Sequence, residues 1–347
     1  MDVSVIIVNY HSAALVVDCI KSIQKQTQEL EYEIIVVDNA SGDGSVELLE
    51  KSFDGSVRLI ASEQNLGFGK ANNLGARRAQ GKYLFLLNPD TILVNNAVKI
   101  LYDALESDRS LGVVGGNLYT PEMTPAPSYC ERFDDLALEK ERASWRCLLH
   151  NKLRPGCSRP FEDSFNYGSI PKPVAYIFGA DMMLSRELFQ KLGGFDPEFF
   201  MYAEEEDLSW RITGNGHRIM NIPQAKIIHM EGATVKQANA FSERQFRMRM
   251  NGTLTYFKKR FGMEGTAEFV RLRTKRYQRQ ILMGKLRGHA GAQYAPVIQC
   301  RCLQEVYEDF LKVNSRTGEK DHGGDNGPFR CEDHSVLFAP VPCHPGK

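Results

Sequence analysis

The chain has 347 residues, with 43 Lys/Arg against 43 Asp/Glu, 42% apolar and 25% charged side chains. It is long enough to bury a full core, as one large domain or a domain with an appendage, and its composition is that of an ordinary globular protein. Zero formal net charge excludes whole-molecule attraction to nucleic acid or membrane, no run of about 18 apolar residues offers a bilayer span, and eight scattered cysteines fit a reducing cytosol.

The N-terminus enters a strand pattern at once, without a basic lead or a small-residue cleavage site, so it reads as a chain without a signal peptide. Val3 to Val8, Glu33 to Val37, Val57 to Ala61 and Tyr83 to Leu87 are apolar, β-branched runs of buried-strand length. Helical spacing lies between them. Leu15, Cys19, Ile20 and Ile23 follow the cap candidate Ser12, and Val46, Leu48 and Leu49 follow Asp43; Ala71, Leu74, Gly75 and Arg78 make a third face. Repeated strand–helix–strand units predict a mostly parallel α/β sheet with right-handed crossovers, flanked by helices.

Residues 120–172 are rich in Pro, Gly and Ser around a helical patch from Leu136 to Leu149, the pattern of a lid or substrate loop. Order resumes with a strand from Val174 to Phe178, a helix from Arg186 to Leu192, an acidic helix start from Glu204 to Arg211, and strands at Arg218 to Ile222 and Lys226 to His229. From Phe241 to Gly288 the pattern is helical, with thirteen Lys/Arg against three Glu. The expected division is a catalytic domain over 1–240 (nucleotide-binding half 1–120, acceptor half 121–240), a basic helical extension over 241–313 and a weakly ordered tail over 314–347. Cys300, Cys302, Cys331, His334, Cys343 and His344 invite a zinc reading, but they lack paired C-x₂-C spacing, so free thiols are the simpler account.

Ligands of parallel α/β sheets bind outside the carboxyl ends of the strands. Those ends carry Asn9, Tyr10 and His11, then Asp38, Asn39 and Ser41-Gly42-Asp43-Gly44, then Asn65-Leu66-Gly67-Phe68-Gly69-Lys70, and last Asn88-Pro89-Asp90. Tyr10 suits a base ring, Asp38 a base N–H, and Lys70 a phosphate. Asp90 offers a hard oxygen to Mg²⁺ or Mn²⁺, which prefer carboxylates and phosphates. Taken singly, a strand-end Asp is as often a turn former, and Asn-Pro-Asp is an ordinary turn. Glu204-Glu205-Glu206-Asp207 follows the aromatic run Phe199-Phe200-Met201-Tyr202. A solvated N-terminal turn is the bland reading; partial desolvation by the aromatics would instead lift a carboxyl toward a general-base range. His229 closes a strand and can ligate metal as a neutral imidazole.

Set together, VSVIIVNYHS (3–12), VVDNASGDGS (36–45), NLGFGKANNLG (65–75), LLNPDT (86–91), FGADMMLSRELFQKLGGFDPEFFMYAEEEDLSWR (178–211) and AKIIHMEGAT (225–234) resemble family 2 glycosyltransferases of the GT-A fold, within them the bacterial rhamnosyltransferase-like group. The resemblance covers roughly residues 1–260. It implies a nucleoside-diphosphate sugar as donor, dTDP-rhamnose or a UDP-sugar, and a glycan or lipid-linked glycan as acceptor in cell-surface polysaccharide synthesis. It also implies Mn²⁺ or Mg²⁺ held by Asp90 and His229, and an inverting mechanism with Glu205 or Glu204 as base. Donor and acceptor contacts are then expected among Val8, Asn9, Tyr10, Asp38, Asn39, Asn65, Gly67, Lys70, Asn73, Asn88, Gly179, Ala180, Asp181, Asp207 and Trp210. Two residues depart from the family pattern: Asn88 replaces the first acid of a D-x-D, and Glu205 replaces an Asp.

The expected location is cytoplasmic. Segment 241–288 is either a solvated basic face or a peripheral contact with anionic membrane or a lipid-linked diphosphate; its thin aromatic interleaving speaks against nucleic acid. Competing functions are a nucleotidyltransferase, which needs a glycine-rich loop after the first strand, and a non-catalytic nucleotide-sugar or glycan-binding module, which does not need the acids.

Overall fold

The computed structural model describes residues 1–53, 55–144, 164–230, 241–286, 288, 291 and 293–318. From the amino end, β1 (Val3–Asn9), α1 (Ala13–Gln26), β2 (Tyr32–Asp38), α2 (Ser45–Phe53), β3 (Arg58–Ala61), α3 (Phe68–Ala76) and β4 (Tyr83–Leu87) alternate as the periodicity predicts. Every residue of β1 and β4 is buried. Those runs lack polar alternation because helices cover both faces of the sheet. Val3, Val5 and Ile7 meet α1, while Ile6, Leu84 and Leu86 meet a second core under α3.

The chain continues through β5 (Thr91–Leu93), α4 (Ala97–Ser107), β6 (Leu111–Tyr119), β7 (Tyr129–Cys130), α5 (Leu136–Arg142), β8 (Lys172–Pro173), β9 (Tyr176–Ile177), β10 (Asp181–Ser185), α6 (Arg186–Lys191), α7 (Glu204–Gly214), β11 (Arg218–His229), α8 (Glu243–Leu286) and α9 (Ala295–Gly318). The main sheet runs β3-β2-β1-β4-β10-β6-β11-β5, with β8 added on β11 and β7 paired with β9 apart from it. β3, β2, β1 and β4 are mutually parallel, β10 is antiparallel to β4 and β6, and β5 is antiparallel to β11. This is the mixed, mostly parallel α/β sheet the sequence implies.

Local expectations shift in several places. The strand expected over Val174 to Phe178 is divided: Val174 donates to Ile219, while Tyr176 and Ile177 pair with β7. The two strands expected over 218–229 are one, β11, irregular between Asn221 and Lys226 where Pro223 cannot donate to a ladder. Ser12 does not cap α1 with its side chain. Its N–H and hydroxyl donate instead to Asn9 Oδ1, at 3.2 and 3.0 Å. Of the patch from Leu136 to Leu149, Leu136–Arg142 is helical and residues 145–149 lie outside the described set. α9 carries helix to Gly318, past the boundary expected at 314.

The basic extension is a helical pair. α8 breaks at Gly262, whose φ of 67° interrupts the helix. Met250, Leu254, Tyr256, Phe257 and Phe269 form a third core with Leu303 and Val306 of α9, and Phe199 enters it from the aromatic run before α7. Arg273 of α8 grips Glu139 of α5 through two contacts of 2.6 and 2.7 Å, both side chains nearly buried. The extension is therefore packed onto the segment expected to shape the acceptor site and onto the acidic helix.

Candidate active site

The in-register parallel pairing of β1 with β2 sets Asn9 beside Asp38. Asn9 Nδ2 donates to Asp38 Oδ1 at 2.6 Å, Ser41 Oγ donates to the same oxygen at 2.6 Å, and Ser41 N donates to Oδ2 at 3.1 Å. Asp38 is 2% exposed. Its carboxylate builds the turn after β2, at the position where a contact to a base N–H is expected. Asn39 is likewise spent on the next loop, donating to Asn65 Oδ1 and accepting from Leu66 N. Asn65 Oδ1 in turn accepts from Gly67 N at 2.9 Å. Tyr10, at the end of this scaffold, is 42% exposed, with its ring edge-on to His11. Val8 is buried beneath it, and Lys70 is partly exposed on α3.

Asp90 and His229 are brought together by one antiparallel rung: Thr91 pairs with His229, and Met230 N donates to Asp90 O at 2.8 Å. Asp90 Oδ1 then lies 3.3 Å from His229 Nε2, with both side chains mostly covered. Asn88 Nδ2 is 3.4 Å from the same nitrogen. A hard carboxylate oxygen and an imidazole nitrogen this close, open on one side, fit a divalent cation whose remaining ligands come from phosphate or water. Among the described residues no group of three or more His, Cys, Asp and Glu is placed to hold a metal. Cys300 and Cys302 are free thiols on α9, and Cys331, His334, Cys343 and His344 lie outside the described residues.

From this turn a chain of contacts leads to the acids. Asn88 N donates to Ala180 O at 3.0 Å, and Gly179 lies against the Phe68 ring. Phe68 N donates to Phe200 O at 2.9 Å. Gly67 is required there, since its φ is +79° and a Cβ would stand 2.1 Å from Phe200 O. Tyr202 and Ala203 then both take left-handed backbone, φ 72° and 70°, immediately before α7. For non-glycine residues this costs of order 1–3 kcal/mol each and persists only where the surroundings impose it. Gly252 of α8 leaves room for the turn: a Cβ on that residue would fall 2.2 Å from Tyr202 O.

The four acids of α7 divide by direction. Glu204 is 3% exposed, faces Gly69 and Phe195, and leaves Oε2 without a hydrogen-bond partner. Burial, then the charge of Glu205, pushes its carboxyl well above the usual range. Glu205 is half-buried, and burial raises it too, against the opposing charge of Arg249. Glu206 accepts from Asp134 N at 2.5 Å, and burial followed by the charge of Asp134 pushes it up to about 8. Asp207 pairs with Arg211 at 2.8 Å, whose other arms donate to Leu192 O and Gly194 O. The bland solvated turn is thereby excluded.

Several residues expected to contact donor or acceptor make contacts within the protein. Asn73 spends both ends of its amide on the backbone of Phe195, at 2.7 and 2.9 Å. Asp181 is fully buried and accepts from Gly116 N at 2.6 Å. Asp207 locks the Gly193-Gly194 turn, and the Trp210 ring is capped by the Arg260 guanidinium at 5.0 Å. Glu206 is singled out in the sequence only as a member of the acid run, and Arg260 only as one of the cations of the basic segment. Arg260 sits among Phe133, Trp210, Tyr256 and Phe261 and donates to Asp134 O and the Tyr256 hydroxyl. The unbroken acid run flagged Glu206; nothing local flagged Arg260, whose role depends on three separate segments meeting.

Residues 4–193 match the family profile "Glycosyl transferase family 2". The chain belongs to this family. The family 2 glycosyltransferase is 26% identical over 216 residues to the N-acetylglucosaminyl-diphospho-decaprenol L-rhamnosyltransferase of Mycobacterium tuberculosis, covering 58% of this chain and 67% of that one. It is 33% identical over 119 residues to glycosyltransferase GlyG of Streptococcus pneumoniae, covering 34% and 39%. Its fold is that of GalNAc-T7 solved with UDP, GalNAc and Mn²⁺ (TM-score 0.56, 16% identity, 91% of this chain and 57% of that one). It is also that of the mannosyltransferase PcManGT from Pyrobaculum calidifontis solved with GDP-Man and Mn²⁺ (TM-score 0.54, 17% identity, 89% and 86%). Among the described residues no helix is long and apolar enough to cross a membrane.

Proposed function

We propose that the enzyme moves a sugar from a nucleoside diphosphate to an acceptor hydroxyl with inversion at the anomeric carbon. The observation that carries this is the separation of the α7 acids: Glu205 alone is half-buried with its carboxyl raised by burial, while Glu204, Glu206 and Asp207 are buried or paired. Glu205 is then the base that takes the hydroxyl proton as that oxygen attacks the anomeric carbon and the nucleoside diphosphate leaves. Tyr10 lies against the base, and Asp38, Asn39 and Asn65 hold the turns that frame it.

Asp90 and His229 are the residues that would hold Mn²⁺ or Mg²⁺, with Asn88 beside them. A cation bound there supplies Lewis-acid stabilisation of charge on the departing diphosphate. The Mn²⁺ of both fold neighbours supports this reading. Rhamnose is the sugar suggested by the mycobacterial relative's name; dTDP-rhamnose as donor and a lipid-linked glycan of cell-surface polysaccharide synthesis as acceptor complete the reading. We assign peripheral contact with anionic lipid to those exposed cations of 241–288, Arg249 apart, that protein groups do not already engage.

The test is release of nucleoside diphosphate from dTDP-rhamnose, UDP-sugars and GDP-mannose, with Mn²⁺ or with EDTA. Metal-dependent release from one of them is expected. Absence of both turnover and metal-dependent nucleotide binding across the set would overturn the assignment.

A further inference from the structure

The first arm of α8 is rich in cations, and most of them are engaged. Arg247 is paired with Glu305 and Glu243. Lys258 and Lys259 hold Glu198 and Asp196, and Arg260 donates to Asp134 O and the Tyr256 hydroxyl. Arg249 differs. It is exposed, its guanidinium carbon stands 5.2 Å from the centroid of the Tyr202 ring, and its side chain makes no hydrogen bond or ion pair among the described residues. Three residues further along the same helix, Gly252 closes on Tyr202 O and Met201 O. Residues three apart share a helix face. That face of α8 is therefore laid on the turn 201–203 leading into Glu204 and Glu205, with Arg249 at its open margin.

We propose that Arg249 receives an anionic group carried by the acceptor, beside the hydroxyl that Glu205 deprotonates; the assignment rests on the glycosyl-transfer reading of this site. The ligand class is a sugar bearing a phosphate or a carboxylate. A planar guanidinium braced on an aromatic ring presents its N–H fork pre-organised for such an anion. The electrostatics agree with the geometry. Arg249 is the charge that opposes protonation of Glu205, so on its own it weakens the base. An anion bound to Arg249 cancels that field and restores the basicity of Glu205 when an acceptor is present. A neutral acceptor would leave the cation working against the reaction.

The experiment is a ligand-observed NMR titration of the full chain in EDTA with glucose 1-phosphate, glucuronate and methyl glucoside, repeated on Arg249→Gln and Arg249→Lys. The wild-type protein is expected to prefer one of the two anionic sugars to methyl glucoside. Arg249→Gln should weaken that anion about tenfold or more and Arg249→Lys less, because charge survives but the fork does not. Which anion responds assigns phosphate or carboxylate. Equal binding of the anions by wild type and Arg249→Gln overturns the proposal, as does a wild-type protein indifferent to sugar charge. Metal-dependent binding of UDP, dTDP and GDP, measured separately on the same samples, tests the underlying reading. If nucleotide binds and the anion ignores Arg249, only the proposal falls; if the anion depends on Arg249 and no nucleotide binds, only the transfer reading falls.

Discussion

The edge formed by the parallel strands and the wall formed by α7 with α8 are built on opposite principles. At the edge, polar side chains are mutually satisfied: Asn9, Asp38, Ser41, Asn39 and Asn65 spend their hydrogen bonds on one another, leaving Tyr10, Asp90 and His229 to face outward. At the wall, acids are deprived of water, one oxygen of Glu204 has no partner, and two non-glycine residues hold left-handed backbone. The edge is a receptacle assembled at the ends of neighbouring strands. The wall is a strained element against which a distant C-terminal helix is packed. Binding needs the first kind of construction, and a base of raised affinity for protons needs the second.

This contrast can be broken deliberately. The largest effect should come from Glu139→Ala, which leaves Arg273 charged and nearly buried without its partner; about 3–5 kcal/mol of stability should be lost, read by denaturant unfolding. If the loss is under about 1 kcal/mol, the extension is not fastened where the contacts place it. Next, Glu205→Gln should cut turnover by about a hundredfold or more while metal-dependent nucleotide affinity stays at the wild-type level. Survival of turnover there, with loss in Glu204→Gln, would move the base one residue. On the edge, Asp90→Ala should weaken metal-dependent nucleotide binding by at least about tenfold, and His229→Gln in the same direction. Unchanged affinity in both would place the cation elsewhere.

The smallest effect is on pH dependence. Glu206 titrates at about 8 in the folded protein against an ordinary value of 4.5. The folded state then binds more protons than the unfolded state between those two values, so this group's contribution to stability is present below the lower one and is lost as pH rises through the upper. Thermal midpoints should fall from pH 5 to pH 8 and level off above. Glu206→Gln should flatten that slope, and an unchanged slope would mean that Glu206 is not the group responsible.

Much of the edge was legible in the sequence because strand ends and turn residues are local signals. The four parallel strands, the Asn88-Pro89-Asp90 turn and the His229 strand end sit where periodicity places them. What periodicity did not reveal is β6 and β10, at the middle of the sheet. β6 contains Gly115, Gly116 and Asn117, which interrupt an apolar run. A side chain at Gly115 would strike Ile177, and one at Gly116 would strike Ala225 O, so the glycines mark crowding between neighbours. β10 opens with the buried Asp181, a residue that argues against a strand when read alone. α4 was readable, since Ala97, Val98, Leu101 and Leu105 keep helical spacing. The spent amide of Asn73 and the aromatic nest of Arg260 have no local signature, because each is completed by residues more than 70 positions away.

The rung that joins Thr91 to His229 also bears on how such a chain can diversify. A single backbone pairing sets the Asp90–His229 distance, so segments between the two strands can lengthen or shorten without moving either ligand, provided the rung keeps its register. A slip of one residue would turn His229 to the opposite face of the sheet. Insertions in the connections between 94 and 217, such as those around α5, are therefore compatible with the same Asp90–His229 geometry, while β5 and the end of β11 are held fixed.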